Sequence, residues 1–496
     1  MPFRNQDFKK PEFKKITDVV WEVDKSFKNG MRVPVRIYAT EKLLNTMDLE
    51  VFDQASNAAM LPGIQKYSYV FSDGHSGYGV PVGWCGAFDL KEGIISPGAI
   101  GFDINCGMNL IRTNLTLEEI KPKIKELIDL LFKMVPAGVG ATSYQEPKEI
   151  SKMSEGKFRE VVEEGVNWAV ENGYAWKEDI ERIQEYGKVA NADFSKVSKT
   201  AYTRGRSQLG TLGSGNHYLE IQLIDKVFDE KIAKDWELDS VDNQICVMIH
   251  CGSRGFGHQI CTDYLATFIN AMKKYGINVP DRQLACAPFD SEEGQNYLKA
   301  MNCAINFAFT NRQLIVYQIR KAFEKVFKQS AEDLGLKIIY DVAHNTAKIE
   351  EHNVGGEKKK VIIHRKGATR CFGPDNPELA SMFKKSGQPV IVGGSMETGS
   401  FLCVGTKKAE EETFGTTLHG SGRTMSRTKA RHMVRGEELQ KKMLERGIYI
   451  KATTMSGLAE EAGFAYKDIN EVVDSMHQAG ISLKVLRLKP LANIKG

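Results

Sequence analysis

Apolar positions recur at helical spacing in five stretches of this chain. The clearest covers 116–131, where Thr116 and Glu119 form a capping box and Ile120, Ile124, Leu127, Ile128 and Leu131 follow on one face. The same pattern predicts helices around 157–171, 296–328, 436–446 and 468–478. Four short runs rich in valine and isoleucine, Cys246–Ile249, Ile338–Val342, Val361–Ile363 and Val390–Val392, read as buried strands. Helices and strands do not alternate regularly, so an α+β fold is expected rather than a doubly wound sheet. No linker, repeat or low-complexity tract divides the chain.

The places where strands end carry most of the information. Val-Met-Ile runs into His250-Cys-Gly-Ser-Arg-Gly, Ile-Ile-Tyr-Asp-Val runs through Ala343 into His344-Asn345, and Val-Ile-Val runs into Gly393-Gly394-Ser395. A strand fixes the direction of approach and a glycine-rich turn lets backbone come close to a ligand, so these ends are natural positions for a site.

Composition and charge narrow the picture only slightly. The 496 residues are 42% hydrophobic and 26% charged, ordinary for a globular protein, and a net charge of +4 leaves any basic surface to be a local feature. The sharpest local bias is at the N-terminus, where Arg4, Lys9, Lys10, Lys14 and Lys15 face only Asp7 and Glu12; residues 1–15 are expected to be a solvated, flexible basic segment. Nine scattered cysteines without a C-x-x-C pair argue against a disulfide framework and a zinc ribbon. With no membrane-length apolar run and no apolar signal core in Met1–Lys15, the expected setting is reducing and cytoplasmic, with the nucleus as a second location.

Of only ten histidines, five sit in glycine-flanked or strand-end turns: His75, His217, His250, His344 and His419. One histidine beside a glycine is ordinarily a turn residue, and His75 is read that way; the cluster is what shifts the balance. In Gly101-Phe-Asp103-Ile-Asn-Cys106-Gly, a carboxylate and a thiolate three residues apart can converge on one cation. With His217, His250 and His344 they form a mixed O/S/N donor set, which suits manganese, zinc or cobalt better than calcium or magnesium. A thiolate can bridge two metals, so five donors could hold a pair, the usual device for displacement at phosphorus. The stretch Gly210-Thr-Leu-Gly-Ser-Gly-Asn216-His217-Tyr218-Leu219-Glu220 lacks both the P-loop ending and the Rossmann glycine spacing, leaving nucleotide binding by another kind of loop open.

Five blocks carry a resemblance to a known family: Gly-Phe-Asp-Ile-Asn-Cys-Gly, Leu-Gly-Thr-Leu-Gly-Ser-Gly-Asn-His-Tyr, His-Cys-Gly-Ser-Arg-Gly-Phe-Gly-His, His-Arg-Lys-Gly-Ala-Thr-Arg and Phe-Gly-Thr-Thr-Leu-His-Gly-Ser-Gly-Arg. In this order, spanning the chain to a C-terminal Ile-Lys-Gly, they resemble the signature blocks of the RtcB family of RNA-splicing ligases, the eukaryotic and archaeal members more than the bacterial ones. The resemblance implies one large α+β domain over residues 1–496, overriding the roughly three domains that length alone suggests. It implies a two-manganese site of Asp103, Cys106, His217, His250 and His344, with Cys106 touching both ions. It makes His419 the residue that accepts GMP from GTP, and it lines the guanosine nucleotide with Asn216, His217, Tyr218, Leu219, Glu220, His344, Asn345, Gly393, Gly394, Ser395, Met396, Ser400, His419, Gly420, Ser421, Gly422, Tyr466 and Lys495.

These roles make chemical sense. An ionised Glu220 can accept from both N1–H and the amino group of guanine, neither of which adenine offers. A histidine nucleophile needs one unprotonated ring nitrogen, with a partner holding the other. Arg423 could clamp phosphate, and Arg204 and Arg254 are candidate RNA contacts. The implied reaction joins a 2′,3′-cyclic phosphate or 3′-phosphate end to a 5′-hydroxyl end, as in tRNA splicing, through histidine–GMP and RNA-(3′)pp(5′)G. The implied partners are RNA, an archease-like activator and a complex containing a DEAD-box helicase. The chain departs from the family pattern at Glu397, where glycine is usual, which puts a negative charge near the expected phosphates. Ser-Asp-Gly-His75 in place of Pro-Asp-Val-His and Ser421 in place of alanine are milder departures. Two rival readings, a cyclic phosphodiesterase that does not ligate and a catalytically silent RNA-binding subunit, leave the joint presence of His419, Glu220 and Lys495 unexplained.

Overall fold

Four strands begin or end at the histidine- and cysteine-bearing motifs: β1 (Gly107–Thr116), β2 (Tyr218–Val227), β3 (Gln244–Cys251) and β4 (Lys337–Ala343). In the computed structural model, which describes residues 8–142, 150, 153–238 and 243–496, they lie side by side in the order β4-β1-β3-β2. The sheet continues through β5 (Ser482–Lys495), Ser400–Gly405 and Pro389–Val392, with Tyr449–Ala452 running parallel along β5. Every neighbour in the β4-β1-β3-β2-β5 series is antiparallel, so the start of one strand lies beside the end of the next. Gly107 is in register with both Ala343 and Cys251, and Tyr218 with both His250 and Lys495. Cys106, His217, His250, His344 and Lys495 are therefore gathered at one edge of one sheet, although they are far apart in sequence.

A second sheet runs in the order Lys14–Thr17, Val20–Val23, Val35–Tyr38, Ile64–His75, Val82–Asp89, Glu357–Lys366, Asn345–Val354. Its last strand begins one residue after His344, so that histidine is the joint between the two sheets. The strand Ile64–His75 brings Asp73 and His75 toward the same region.

The helix expected at 296–328 is longer, Glu292–Phe327. Ser291 caps its N-terminus by accepting from Gly294 N, and Lys328 closes it at φ +58°. It is buried on nearly every face, including the polar Asn306, Asn311 and Arg312. The 116–131 pattern divides into Leu117–Ile120, with its capping box, and Ile124–Met134, because Pro122 between them has no N–H to continue the ladder. The 157–171 pattern divides at Gly165 (φ +59°) into Glu155–Glu164 and Val166–Glu171. The last two expected helices form at Gly436–Glu445 and Ile469–Gln478. All four expected strands lie inside longer ones. The α+β architecture is the expected one.

Of the basic N-terminal segment, residues 1–7 lie outside the described residues. From Phe8 onward the chain packs: Phe8 meets Phe27 edge-on, Phe13 meets Phe52, and Lys14–Thr17 is a strand. Among the described residues no helix is long and apolar enough to cross a membrane.

Candidate active site

At the common strand edge, side chains from the two motif turns and two strand ends converge. Asp103, Cys106 and His217 form one group of three donors and Cys106, His250 and His344 another, the donor atoms within each lying within 4.8 Å of one another. Cys106 belongs to both. Its Sγ lies 3.4 Å from His217 Nε2 and 3.2 Å from His250 Nε2; His217 Nε2 is 2.9 Å from an Asp103 carboxylate oxygen, and the His250 and His344 Nε2 atoms are 3.2 Å apart. Two triads sharing a sulfur have the composition and spacing to hold two cations with the thiolate between them. His217 Nδ1 is committed to the backbone oxygen of Leu212 at 3.0 Å, so its other nitrogen faces inward, as a ligand's must.

The turns are pinned from behind by the long buried helix. Arg312 Nε lies 2.9 Å from both carboxylate oxygens of Asp341 on β4, while its Nη1 donates to the backbone oxygens of Asn105 and Cys251. One guanidinium thus ties together the residue before Cys106 and the residue after His250. Asn311, one position earlier, accepts from Gly210 N and Thr211 N and donates to Gly252 O. A Cβ at Gly252 would lie 2.4 Å from the Asp103 carboxylate, so any side chain there would displace that group.

The electrostatics favour a cation. Burial, then the charge of Asp103, pushes the Cys106 thiol up to about 12. Burial, then neighbouring histidines, hold His250 and His344 well below the usual imidazole range, so both are neutral as ligands must be. At His217, burial is outweighed by Cys106, Cys251 and Asp103, and the pKa rises. A divalent ion at the centre of the cluster would offset the Asp103 carboxylate and favour the thiolate of Cys106 over its buried thiol.

His419 stands beside this cluster, its ring centroid 4.7 Å from that of His344. One carboxylate oxygen of Asp73 accepts three hydrogen bonds, from His419 Nδ1 at 2.6 Å, His419 N at 3.1 Å and Gly420 N at 3.2 Å. Burial alone would raise the Asp73 pKa, but the imidazole and the His419 N–H hold it below its ordinary value. A proton on Nδ1 leaves the lone pair on Nε2. Asp73 was not foreseen; the signal lay in Ser-Asp-Gly-His75, where the histidine drew attention instead. His75 itself is half-buried, its Nδ1 3.0 Å from the Asp73 backbone oxygen, and lines the same cavity.

That cavity, about 1220 Å³, is lined by most of the residues expected around a nucleotide: Asn216, Tyr218, Asn345, Gly393 to Met396, His419 to Arg423, Tyr466 and Lys495, with Asp103, Cys106, His250 and His344. Leu219 is fully buried in the sheet core. Glu220 lies a layer beneath the wall. Its two oxygens accept from Gln222 Nε2, at 2.6 Å, and from Asn493 Nδ2. Gln222 also reaches Ser400 Oγ, which accepts from Gly394 N in the wall. Burial raises the Glu220 carboxyl to about 7 against the pull of Lys495.

Arg423 is not a free phosphate clamp. Its Nε donates to Met425 O, its Nη2 to Glu460 O, and its Nη1 to Glu461 and Tyr466. Glu461, also unforeseen, is a buried anion among Arg423, Arg427, Tyr466 and Lys495. Glu397 does not put uncompensated charge beside the cavity: its carboxylate pairs with Arg446 at 2.7 Å and accepts from Gly463 N at 2.7 Å. Arg204 binds Gln259 on the surface, and Arg254, at φ +56°, contacts Thr211; neither lines the cavity.

Paired donor triads next to a carboxylate-held histidine are equipment for metal-assisted chemistry at phosphorus. Comparison with known proteins narrows the class. A family model described as tRNA-splicing ligase RtcB matches residues 54–496. A protein of Archaeoglobus fulgidus named tRNA-splicing ligase RtcB is 51% identical over 97% of this chain and 98% of its own length. One of the same name from Methanococcus maripaludis is 51% identical over 97% and 99%. RNA-splicing ligase RtcB homolog 1 of Entamoeba dispar is 46% identical over 96% and 89%. The chain belongs to the tRNA-splicing ligase RtcB family and is an RNA ligase.

Proposed function

We propose that the chain seals RNA breaks of the kind made in tRNA splicing, using GTP and two manganese ions. His419 Nε2 attacks the α-phosphorus of GTP, forming a P–N bond and releasing pyrophosphate. A 3′-phosphate end, present as such or opened by water from a 2′,3′-cyclic phosphate, attacks the same phosphorus and frees His419, giving RNA-(3′)pp(5′)G. The 5′-hydroxyl of the second end then attacks the 3′-phosphate, forming the phosphodiester and releasing GMP. Asp103, Cys106, His217, His250 and His344 would hold the metal ions, whose charge steadies the phosphoryl oxygens when bound. We assign the guanine edge to Glu220, which sits a layer beneath the wall, so Gln222 and Asn493 would have to release its oxygens for the base to reach them. Asn216, Asn345, Gly393 to Met396, Gly420 to Gly422, Tyr466 and Lys495 surround the nucleotide.

The observation that carries this reading is the Asp73–His419 pair beside His344. A nucleophilic imidazole needs its Nδ1 proton held and its Nε2 bare, next to the centre where charge develops. The test is incubation with α-labelled GTP and manganese. The chain should acquire covalent label and His419→Ala should not, yet His419→Ala should still seal RNA supplied with a 3′-pp(5′)G end. Label on His419→Ala would mean that another residue carries the nucleotide. Running the same assay with and without an archease-like activator or a DEAD-box helicase partner asks whether those proteins are needed.

A further inference from the structure

Beside Asp103 stands an aromatic ring that none of this chemistry uses. Phe102 is half-buried and lines the cavity. Its ring stacks on His258 at 4.8 Å and 28°, and meets Tyr78 edge-on at 5.1 Å and 69°. His258 is exposed on the first turns of the helix Arg254–Tyr275, so the stack runs from the cavity wall out to solvent. Desolvation, then the charge of Arg204, lowers the His258 pKa, so the outer ring is neutral.

A cation, Arg204, borders the outer ring. Arg204 crosses the same helical turn, its Nη1 2.7 Å from Gln259 Oε1, with its Nε 3.3 Å from where a Cβ on Gly255 would be. On the other side the buried Lys366 Nζ, whose pKa burial lowers to about 7, lies 5.9 Å from the Tyr78 ring centroid and donates to Gly98 O. Phe102 is among the residues lining a cavity rich in polar groups, and whatever apolar surface it shows there is better covered by a base than by water. Rings interleaved with cations are how proteins hold unpaired nucleotides, the base on the ring and the backbone on the charge.

Resting on the RNA-joining reading above, we propose that the Phe102–His258 stack, edged by Tyr78, seats the nucleobase next to the junction. Arg204 supplies the positive charge for the adjoining backbone. Every base has a π face, so this seat positions the RNA end without selecting its sequence. Phe102 and His258 are positioning residues: they fix the end so that its terminal phosphate or hydroxyl lies beside Asp103.

The experiment measures ligation at sub-saturating RNA with three substrates: intact ends, an abasic 3′-terminal nucleotide on one strand, and an abasic 5′-terminal nucleotide on the other. The wild type should lose about tenfold with one of the abasic substrates, which tells which strand uses the seat. Phe102→Leu, which keeps apolar packing, and the surface change His258→Gln should lose a similar factor on intact RNA and little more on the abasic one. Phe102→Tyr should restore the wild-type ratio of intact to abasic rates. A purely structural role would slow ligation without changing that ratio. The proposal is overturned if both variants keep the full abasic penalty, or if the wild type shows no penalty on either strand. A wild type that joins no RNA at all overturns the RNA-joining reading itself, and this seat with it.

Discussion

Glu220→Gln should make the protein more stable and a poorer user of GTP. Burial lifts the Glu220 carboxyl from its ordinary 4.5 to about 7. Between those values the folded chain holds a proton that the unfolded chain has lost, so stability falls as pH rises from about 4.5 to 7 and is level above. At about 1.4 kcal/mol per pH unit, the ionised side chain withholds roughly 3 kcal/mol at pH 8. Glutamine removes this loss without stranding its neighbours. Gln222 Oε1 and Asn493 Oδ1 are buried without a partner, so turning either amide offers an acceptor to the new NH₂. Thermal unfolding of variant and wild type at pH 5 and pH 8 reads the effect: a small difference at pH 5, and a gain on the order of a few °C at pH 8. An equal difference at both pH values refutes the reasoning about burial. If Glu220 also reads guanine, uptake of GMP from GTP should fall by about tenfold or more, since one of two acceptors for the base is lost. Unchanged uptake would remove that role and leave the pH argument standing.

Elemental analysis should find two manganese ions per active chain, and Cys106→Ala should lose at least one of them together with ligation while keeping its fold; full occupancy in the variant would show that the sulfur is not shared. Asp73→Asn keeps an acceptor for His419 but loses the charge, so GMP transfer to His419 should slow by about 10- to 100-fold, measured as the rate of covalent labelling. Because the Asp73 pKa is held below its ordinary value, its share of stability is present at neutral pH and lost only as the medium falls below about pH 4, and the variant should lack that acid-dependent drop. Arg312→Leu leaves Asp341 as a buried charge to which, among the described residues, Asn109 alone donates, and should cost about 3–5 kcal/mol, seen as a lower denaturation midpoint; a loss below about 1 kcal/mol would show that the pair is not what holds the turns.

Local features of this chain were legible because their causes are local. The valine and isoleucine runs are strands since both faces are buried, and Thr116 with Glu119 caps a helix through neighbours three residues away. Pro122 and Gly165 were equally visible, but the run of apolar residues on either side hid the breaks they impose. The helix Arg254–Tyr275 was missed because its apolar stripe is weak: Gly255, Gly257 and several polar residues interrupt it, and it is held by packing instead.

The sequence by itself determined which residue types sit in strand-end turns, and the motif order carried the family. It could not say that these turns meet. Antiparallel order in the sheet decided that, by setting the starts of β1 and β2 beside the ends of β3 and β4. Asp73 lies 346 residues from His419, and Arg312 reaches backbone atoms at 105 and 251, so neither pairing leaves a mark in local spacing. The charge of Glu397 had the opposite fate: conspicuous in the sequence, it is turned aside by Arg446, 49 residues on. Backbone and side-chain preferences act over a few residues, whereas the burial and charge pairing that orient Asp73, Glu220 and Glu461 exist only once distant segments share one interior.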